Sequence, residues 1–302
     1  SDIRNMPESK LIQIPDYVDE KTSAALMLKG MTVEYLTERT FLINDSHTVL
    51  LHAAAGGVGQ IATQWLKNKG ATVIGTVGSL EKAEIAKNNG CDEVILYKEK
   101  NFKDAVLDYT NGLGVNVVYD GVGKDTALQS LDCLAPLGML VIFGNSSGNA
   151  PAIEPGLLAA KGSLYVTRPT LFNYNDTREK LMESANQVFS MVRSGKVSIK
   201  IGAQYDLKDA VQAHKDLEER RNNLSYEIDG SVFKVNNYSE REILGMRSRS
   251  PRWAIAGKFK LDMTGNKFND FHGSNLIESD VSYTNGYPDT TTLTNVVFNE
   301  NT

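Results

Sequence analysis

Apolar residues along the first half of this chain come in short, unbroken runs, not in the alternation of a half-exposed strand. TVLLHA (48–53), TVIGTV (72–77), EVILY (93–97), VNVVYD (115–120), MLVIFG (139–144) and SLYVT (163–167) are such runs. Near-continuous β-branched segments of this length are what parallel strands need when both faces of their sheet are covered. Amphipathic stretches lie between them, around residues 57–69, 80–90, 101–110 and 124–135. Strand and helix in alternation predict an α/β fold, a doubly wound parallel sheet with right-handed crossovers. A longer amphipathic helix, roughly Thr22 to Arg39, is expected before the first strand. Two more helices, about 176–194 and 207–220, are expected after the sheet, with strand-like VSIKIG (197–202) between them.

From residue 221 to 260 the texture changes to a hairpin-like EIDGSVFKV and an Arg-rich SRSPRWAIAGKFK, predicting a short β-rich segment. Beyond Lys260 the chain is rich in Asn, Thr, Ser and Gly. There Asp262, Asp270, Glu278, Asp280, Asp289 and Glu300 oppose only Lys267. With no sustained periodicity, 261–302 reads as an irregular polar tail. A length of 302 residues suggests about two domains. The net charge of -5 provides no basic field for nucleic acid or an anionic membrane surface. No apolar run approaches the ~18 residues that a membrane span needs. The opening SDIRNMPESK lacks the order of a signal peptide, and the two cysteines, Cys91 and Cys133, rule out a disulfide framework. These features predict a cytoplasmic protein with neither a nucleic-acid nor a membrane partner.

The segment HAAAGGVG (52–59) follows the first predicted strand and opens a helix. It matches the dinucleotide fingerprint G-x-G-x-x-G, except that Ala54 takes the first glycine position. Gly56 allows the backbone to approach a pyrophosphate, and Gly59 allows the helix to pack on its strand. The free N–H groups and dipole of the helix would then face the phosphates. A Gly-rich turn alone is a weak signal. Strand, turn, helix and second strand in the required order make a Rossmann-type reading specific.

An NAD site ends its second strand with an acid that binds the ribose 2′-hydroxyl. Here Gly78 and Ser79 follow TVIGTV, with Lys82 one helical turn later. A small residue and a cation suit a 2′-phosphate, so NADP(H) is the expected cofactor. FGNSSG (143–148), after the fifth strand, also contains G-x-S-x-G. A nucleophile elbow at Ser146 would need a helix to start at once, whereas NAPAIEPG follows, so Ser146 is not expected to be a nucleophile. His47, His52, His214 and His272 show no metal-ligand spacing, and structural or surface roles are expected for them.

Several segments resemble the zinc-free quinone oxidoreductases of the medium-chain dehydrogenase/reductase superfamily. They include LKGMTVEYL, LLHAAAGGVGQIATQWLK, GTVGSLEKAEIAK, VVYDGVGKDTALQSLDCL, VIFGNSSG, KGSLYVTRPTL and YDLKDAVQAHKDLEER, over roughly residues 1–220. The resemblance implies NADPH-dependent reduction of quinones or related electrophilic carbonyl compounds, including enones. It places Gly56, Gly57 and Val58 at the pyrophosphate, with Lys82 and Tyr97 flanking the 2′-phosphate. It places Thr32, Val122, Phe143, Gly144 and Asn145 around the nicotinamide and its ribose. It also implies a homodimer paired through the nucleotide-binding domain. By the same resemblance residues 1–21 correspond to the end of an N-terminal catalytic domain, 22–170 to the dinucleotide-binding domain and 171–220 to the closing helices and strand. The opposing wall of the cleft is then expected to be missing. No catalytic side chain can be named, and quinone reduction slower than that of an intact family member is expected.

Residues 222–260 resemble a second family, the adenylation domain of bacterial NAD-dependent DNA ligases, through EIDG-x-V-x-K and PRWAIA-x-KF. That resemblance assigns Asp229 and Lys234 to one nucleotidyltransferase motif and Lys258 to another, with Gly257 in place of a bulky residue. The K-x-D-G segment that carries the adenylated lysine is absent, so no lysyl-AMP step is expected. The chain thus reads as two fragments joined near DLEERR. The competing classes are a reductase, a ligase fragment and a catalytically silent nucleotide-binding protein.

Overall fold

Six of the apolar runs pair into one parallel sheet. The computed structural model describes residues 7–205, Asp209, Gln212, Ala213, Lys215 and Asp216, and the backbone of residues 230–234 and 254–258. Strands β1 (Thr48–Leu51), β2 (Thr72–Val77), β3 (Glu93–Leu96), β4 (Val115–Asp120), β5 (Leu134–Ile142) and β6 (Tyr165–Thr167) stand in the order β3-β2-β1-β4-β5-β6. Every pairing is parallel. The expected Rossmann-type architecture is therefore the observed one.

Alternate residues of the strands feed two separate cores, because successive side chains leave opposite faces of the sheet. Val49, Leu51, Val73, Val117 and Tyr119 face helices α1 (Glu20–Glu34), α2 (Gly57–Asn68), α3 (Leu80–Asn88) and α8 (Arg178–Arg193). Leu50, Ile74, Val118 and Leu140 face α4 (Phe102–Tyr109), α5 (Ala127–Ser130) and α6 (Pro155–Ala160). Burial on both sides explains why the runs are continuous and not alternating. Side-chain caps begin α1 at Asp19, α3 at Ser79, α4 at Asn101 and α8 at Thr177.

Four expectations need correction. The helix expected over 22–39 is α-helical only to Glu34 and widens over Tyr35–Thr40. There the Leu36 carbonyl accepts from the Tyr119 hydroxyl at 2.9 Å and from Phe41 N five residues on, at 3.2 Å. A side chain inserted into the ladder opens the helix in this way. The widened segment is held by the buried carboxylate of Glu34, which accepts from Arg39 Nη2 and Ser184 Oγ, each at 2.6 Å. Second, the helix expected over 124–135 shrinks to α5 and one tight turn, since Leu134 already pairs with Val115. The sheet thus takes residues that a helical pattern had claimed. Third, VSIKIG (197–202) forms no strand; Val197 is buried against α8 while the rest runs as a loop.

The last correction concerns the β-rich segment. Of EIDGSVFKV, the structure describes residues 230–234, and their partner lies further along the chain. Gly230–Lys234 (β7) pairs antiparallel with Ala254–Lys258 (β8), with Gly230 opposite Lys258 and Lys234 opposite Ala254. Most of the helix expected over 207–220, Asp229, His214, His272 and the 261–302 tail lie outside the described residues. So does the opening through Met6.

Gly75, in the middle of β2, is explained by the turn beside it. A Cβ there would stand 2.7 Å from the Ala54 Cβ and 2.9 Å from Cys91 Sγ. Ala54 thus occupies the first glycine position of the fingerprint because the neighbouring strand leaves room for its methyl. Gly75→Ala is expected to destabilise the fold by about 1–3 kcal/mol, the cost of overpacking a close-packed core. Ala54→Gly should recover part of that loss in the double mutant, giving a coupling of about 0.5 kcal/mol or more in urea unfolding.

Candidate functional site

In the strand order, β1 lies between β2 and β4: the connections from β1 run one way across the sheet and those from β4 run the other. Ligands of open α/β sheets bind at this point, beyond the C-terminal strand ends. The turn there stays tied to both neighbours: His52 N donates to Tyr119 O, and Ala54 N to Thr76 O, each at 3.1 Å. Ala53 takes a left-handed φ of 54° to make the corner. Gly56 then caps α2 with extended backbone and no side-chain hydrogen bond, unlike α1, α3, α4 and α8. Gln60 N is bonded to Gly56 O, which leaves the N–H groups of Gly57, Val58 and Gly59 directed out of the helix start. A Cβ on Gly56 would sit 3.1 Å from Ala53 O. A helix end of this kind, bare and positively polarised, suits a pyrophosphate.

The expected 2′-phosphate corner is assembled from three elements. Ser79 caps α3 by accepting from Lys82 N, which seats Lys82 on the first helical turn, half-buried. Tyr97 leaves β3 with its N–H on Val77 O at 3.1 Å. Its hydroxyl lies 2.8 Å from where a Cβ on Gly78 would stand, so Gly78 is the residue that admits the Tyr97 ring to the corner. No acid ends β2, the place an NAD ribose would need one.

Toward the other end, the loop after β4 is zipped to the loop after β5. Ser146 N donates to Gly121 O at 3.2 Å, Ser147 N to Val122 O at 3.0 Å, and Lys124 N to Gly148 O at 3.0 Å. The fully buried Asp120 carboxylate shapes the first loop by accepting from Val122 N, Gly123 N and Thr126 Oγ1. Phe143 and Gly144 pack on Gly121: a Cβ on Gly144 would lie 2.5 Å from Gly121 O. Asn145 is exposed and donates to Asn149 Oδ1 at 3.1 Å. Thr32 is on α1, with its hydroxyl donating to Leu28 O at 2.8 Å. After Ser146 no helix begins until Pro155.

A cavity of about 330 Å³ runs along this edge. It brings together Gly56, Gly78, Lys82, Tyr97 and Val122 of the expected residues. Gly57, Val58 and Ser79 belong to the adjoining helix starts, while Thr32, Phe143, Gly144 and Asn145 are not on its wall. The wall also contains His52, for which a structural or surface role was expected, and Thr76, Phe102 and Gln129, which the motif reading did not single out. They stand where strand ends and helix starts meet, and the fold, not a motif, gathers them.

His52 is buried and fully partnered. Its Nδ1 lies 2.9 Å from Thr76 Oγ1, its Nε2 lies 2.9 Å from Ser130 Oγ, and its ring meets Phe102 edge-on. The single Ser130 hydroxyl proton goes to Thr126 O at 2.8 Å, so Ser130 Oγ accepts from His52 Nε2–H. Thr76 then donates to Nδ1 of a neutral imidazole. The structural role expected for His52 holds. Among the described residues no cluster of His, Cys, Asp and Glu could hold a metal ion, and no helix is long and apolar enough to cross a membrane. Both cysteines are buried thiols; burial pushes Cys91 up to about 11 and Cys133 up to about 12.

Comparison with known proteins gives two family matches. One, described as zinc-binding dehydrogenase, covers residues 57–187. The other, described as the adenylation domain of NAD-dependent DNA ligase, covers residues 156–262. They overlap over 156–187, where the chain contributes β6 to the parallel sheet and begins α8. A curated quinone oxidoreductase of Pseudomonas aeruginosa is 47% identical over 221 residues, covering 73% of this chain and 68% of the relative. The crystal structure of the quinone oxidoreductase of Pseudomonas syringae pv. tomato DC3000 aligns with a TM-score of 0.68 at 47% identity, over 72% of this chain and 66% of that one. An Escherichia coli quinone oxidoreductase solved with NADPH aligns with a TM-score of 0.65 at 46% identity, over 70% and 66%. The chain spans about two thirds of the length of these relatives.

The buried His52 makes a pH prediction. Desolvation holds its pKa below the ordinary value, with the nearby Asp120 charge opposing that shift. The unfolded chain therefore binds a proton at a pH where the native one does not. Stability from this group is present above about pH 6.5 and falls as the pH drops from there toward the depressed native value. Urea unfolding of the wild type should lose up to ~1.4 kcal/mol per pH unit below that point. His52→Gln should be less stable at neutral pH and show a shallower slope; an unchanged slope would remove His52 as the cause.

Proposed function

The chain belongs to the quinone oxidoreductase family, and from that premise we propose that it is an NADPH-dependent reductase of quinones and related electrophilic carbonyl compounds. The observation that carries the reading is one cavity lined by the uncapped start of α2 and by the Gly78, Lys82 and Tyr97 corner. Bound NADPH supplies the hydride; the protein supplies position and exclusion of water.

In this reading the N–H groups of Gly57, Val58 and Gly59 hold the pyrophosphate, with Gly56 leaving space for it. Lys82, the Tyr97 hydroxyl and Ser79 take the 2′-phosphate, and Gly78 keeps the corner open. Thr32, Val122, Phe143, Gly144 and Asn145 surround the nicotinamide end, which the zipped loops after β4 and β5 hold in place. His52 supports the floor through its hydrogen bonds. No side chain is assigned an acid or base role.

Residues 22–170 form the dinucleotide unit in this proposal, 171–220 close it, and 221–260 are a separate ligase-like segment. A homodimer through the nucleotide-binding domain and a cytoplasmic location belong to the same reading. Among the described residues β6 is an edge strand with Tyr165 exposed, which supports the first. Nucleotidyl transfer is the weaker reading, because residues 156–187 of that match contribute to the parallel sheet and K-x-D-G is absent.

Fluorescence titration of the full chain should show tighter binding of NADPH than of NADH. Lys82→Ala should weaken NADPH by about 1–3 kcal/mol, the scale of a hydrogen bond to a charged group, and leave NADH nearly unchanged. Equal losses for the two cofactors would refute the 2′-phosphate assignment. NADPH oxidation by a simple benzoquinone, followed by the loss of nicotinamide absorbance, tests the reductase activity itself.

A further inference from the structure

We propose that Lys29, on α1, is a pyrophosphate-binding residue that completes the dinucleotide cradle at the start of α2. The assignment rests on the dinucleotide reading above and adds to it a cation that no fingerprint position supplies. Lys29 lies 27 residues before Gly56 in the chain, on a helix outside the motif. In the fold its side chain reaches the first residue of α2. Its Nζ and Cε each lie 2.6 Å from where a Cβ on Gly57 would stand, and its Cδ lies 3.0 Å away. The second glycine of the Gly56–Gly57 pair is therefore bare because the Lys29 side chain crosses it.

The placement has an electrostatic consequence. An ammonium against a helix N-terminus opposes the positive end of the dipole. A phosphate anion beside both reverses the sign, since the helix N–H groups and the ammonium then share one negative partner. α2 is the long helix here whose start carries no side-chain cap, so its N–H groups and Lys29 converge on the same space. Lys29 is also held by a rigid element. The next residue, Gly30, brings α1 directly onto α8: a Cβ on Gly30 would lie 2.7 Å from Val188 Cγ1. Thr32, one turn further along α1, is the residue expected at the nicotinamide ribose. Pyrophosphate and ribose contacts from α1 would thus follow the cofactor in order.

Lys29 and Lys82 should be separable by the cofactor each one reads. The pyrophosphate is common to NADPH and NADH, whereas the 2′-phosphate belongs to NADPH alone. In fluorescence titrations of the full chain, Lys29→Gln should raise the Kd of both cofactors by the same factor, roughly 10–100-fold. Lys29→Arg should retain most of the affinity. NADH binding by the wild type should weaken with added salt more steeply than binding by Lys29→Gln. Gly57→Ala, whose methyl displaces the lysine tip without removing its charge, should also weaken both cofactors.

Thermal unfolding of each variant separates a binding role from a packing role, which would lower the melting temperature and leave the Kd of the folded protein unchanged. An unaltered NADH Kd in folded Lys29→Gln would overturn the proposal. So would a loss confined to NADPH, which would move Lys29 to the 2′-phosphate. If Lys29→Gln does not fold, wild-type affinity for NADH in Gly57→Ala overturns it. A wild-type chain that binds neither cofactor would defeat the dinucleotide reading itself, and this assignment with it. Binding by the wild type with no effect at Lys29 defeats this assignment alone.

Discussion

The C-terminal edge of the parallel sheet depends on how closely α2 can sit on the turn that leaves β1. A Cβ on Gly59 would stand 2.3 Å from Ala53 O and 2.7 Å from both the carbonyl carbon and oxygen of Ala54. Those are backbone atoms, which cannot swing aside as a side chain would. A bare residue one turn into the helix is therefore the condition for α2 to begin right at the sheet edge. With the helix in that place, its first N–H groups open beside the switch point between β1 and β4. The same closeness forces the neighbouring strand to yield, and Gly75 is where it does so. A three-glycine fingerprint has become an alanine in the turn and a glycine in the next strand, with the contact preserved.

Charge around this edge is distributed by the same geometry. The one buried acid nearby, Asp120, has its oxygens occupied by two backbone N–H groups and a threonine hydroxyl. Its negative charge is thus held inside the loop that it shapes. The cavity wall carries Gly56 at the start of α2, Lys82 and Tyr97, together with the exposed Asp125 beside the loop that follows β4. In the proposed reading the α2 start receives a pyrophosphate and the Lys82 corner a ribose phosphate. The neutral His52 beneath them carries no charge that would compete, because burial keeps its proton count at one.

Much of the fold was legible because the strands are covered on both faces. β2 and β4 match their predicted runs residue for residue, since a strand between two helix layers is buried on both faces and is predominantly apolar. Legibility fails where tertiary contacts override the local pattern. Leu134 belongs to a helical period yet pairs with Val115, and the chain then turns at Leu137, whose φ is 62°. VSIKIG has the pattern of a strand but finds no neighbour to pair with among the described residues. The expected site residues divide in the same way. Gly56, Gly57, Val58, Gly78, Ser79 and Lys82 sit in one βαβ unit, where spacing along the chain translates directly into spacing in space. Lys29, His52 and Gln129 reach the site from separate elements, and their place could be read only once α1, β1 and α5 were positioned.

The two family matches meet within one structural body, and that sets the order in which they bear on function. Residues 57–187 contribute five of the six parallel strands and the whole of α2, whereas β7 and β8 form a separate two-stranded pair. The central claim is that a dinucleotide lies across the start of α2. Its most direct test is an NADPH titration of the isotopically labelled chain followed by backbone amide NMR. The account predicts that the largest shifts fall on Gly57, Val58 and Gly59, with a second group at Gly78 to Lys82. Saturable shifts confined to residues 230–258, with the α2 amides unmoved, would contradict it.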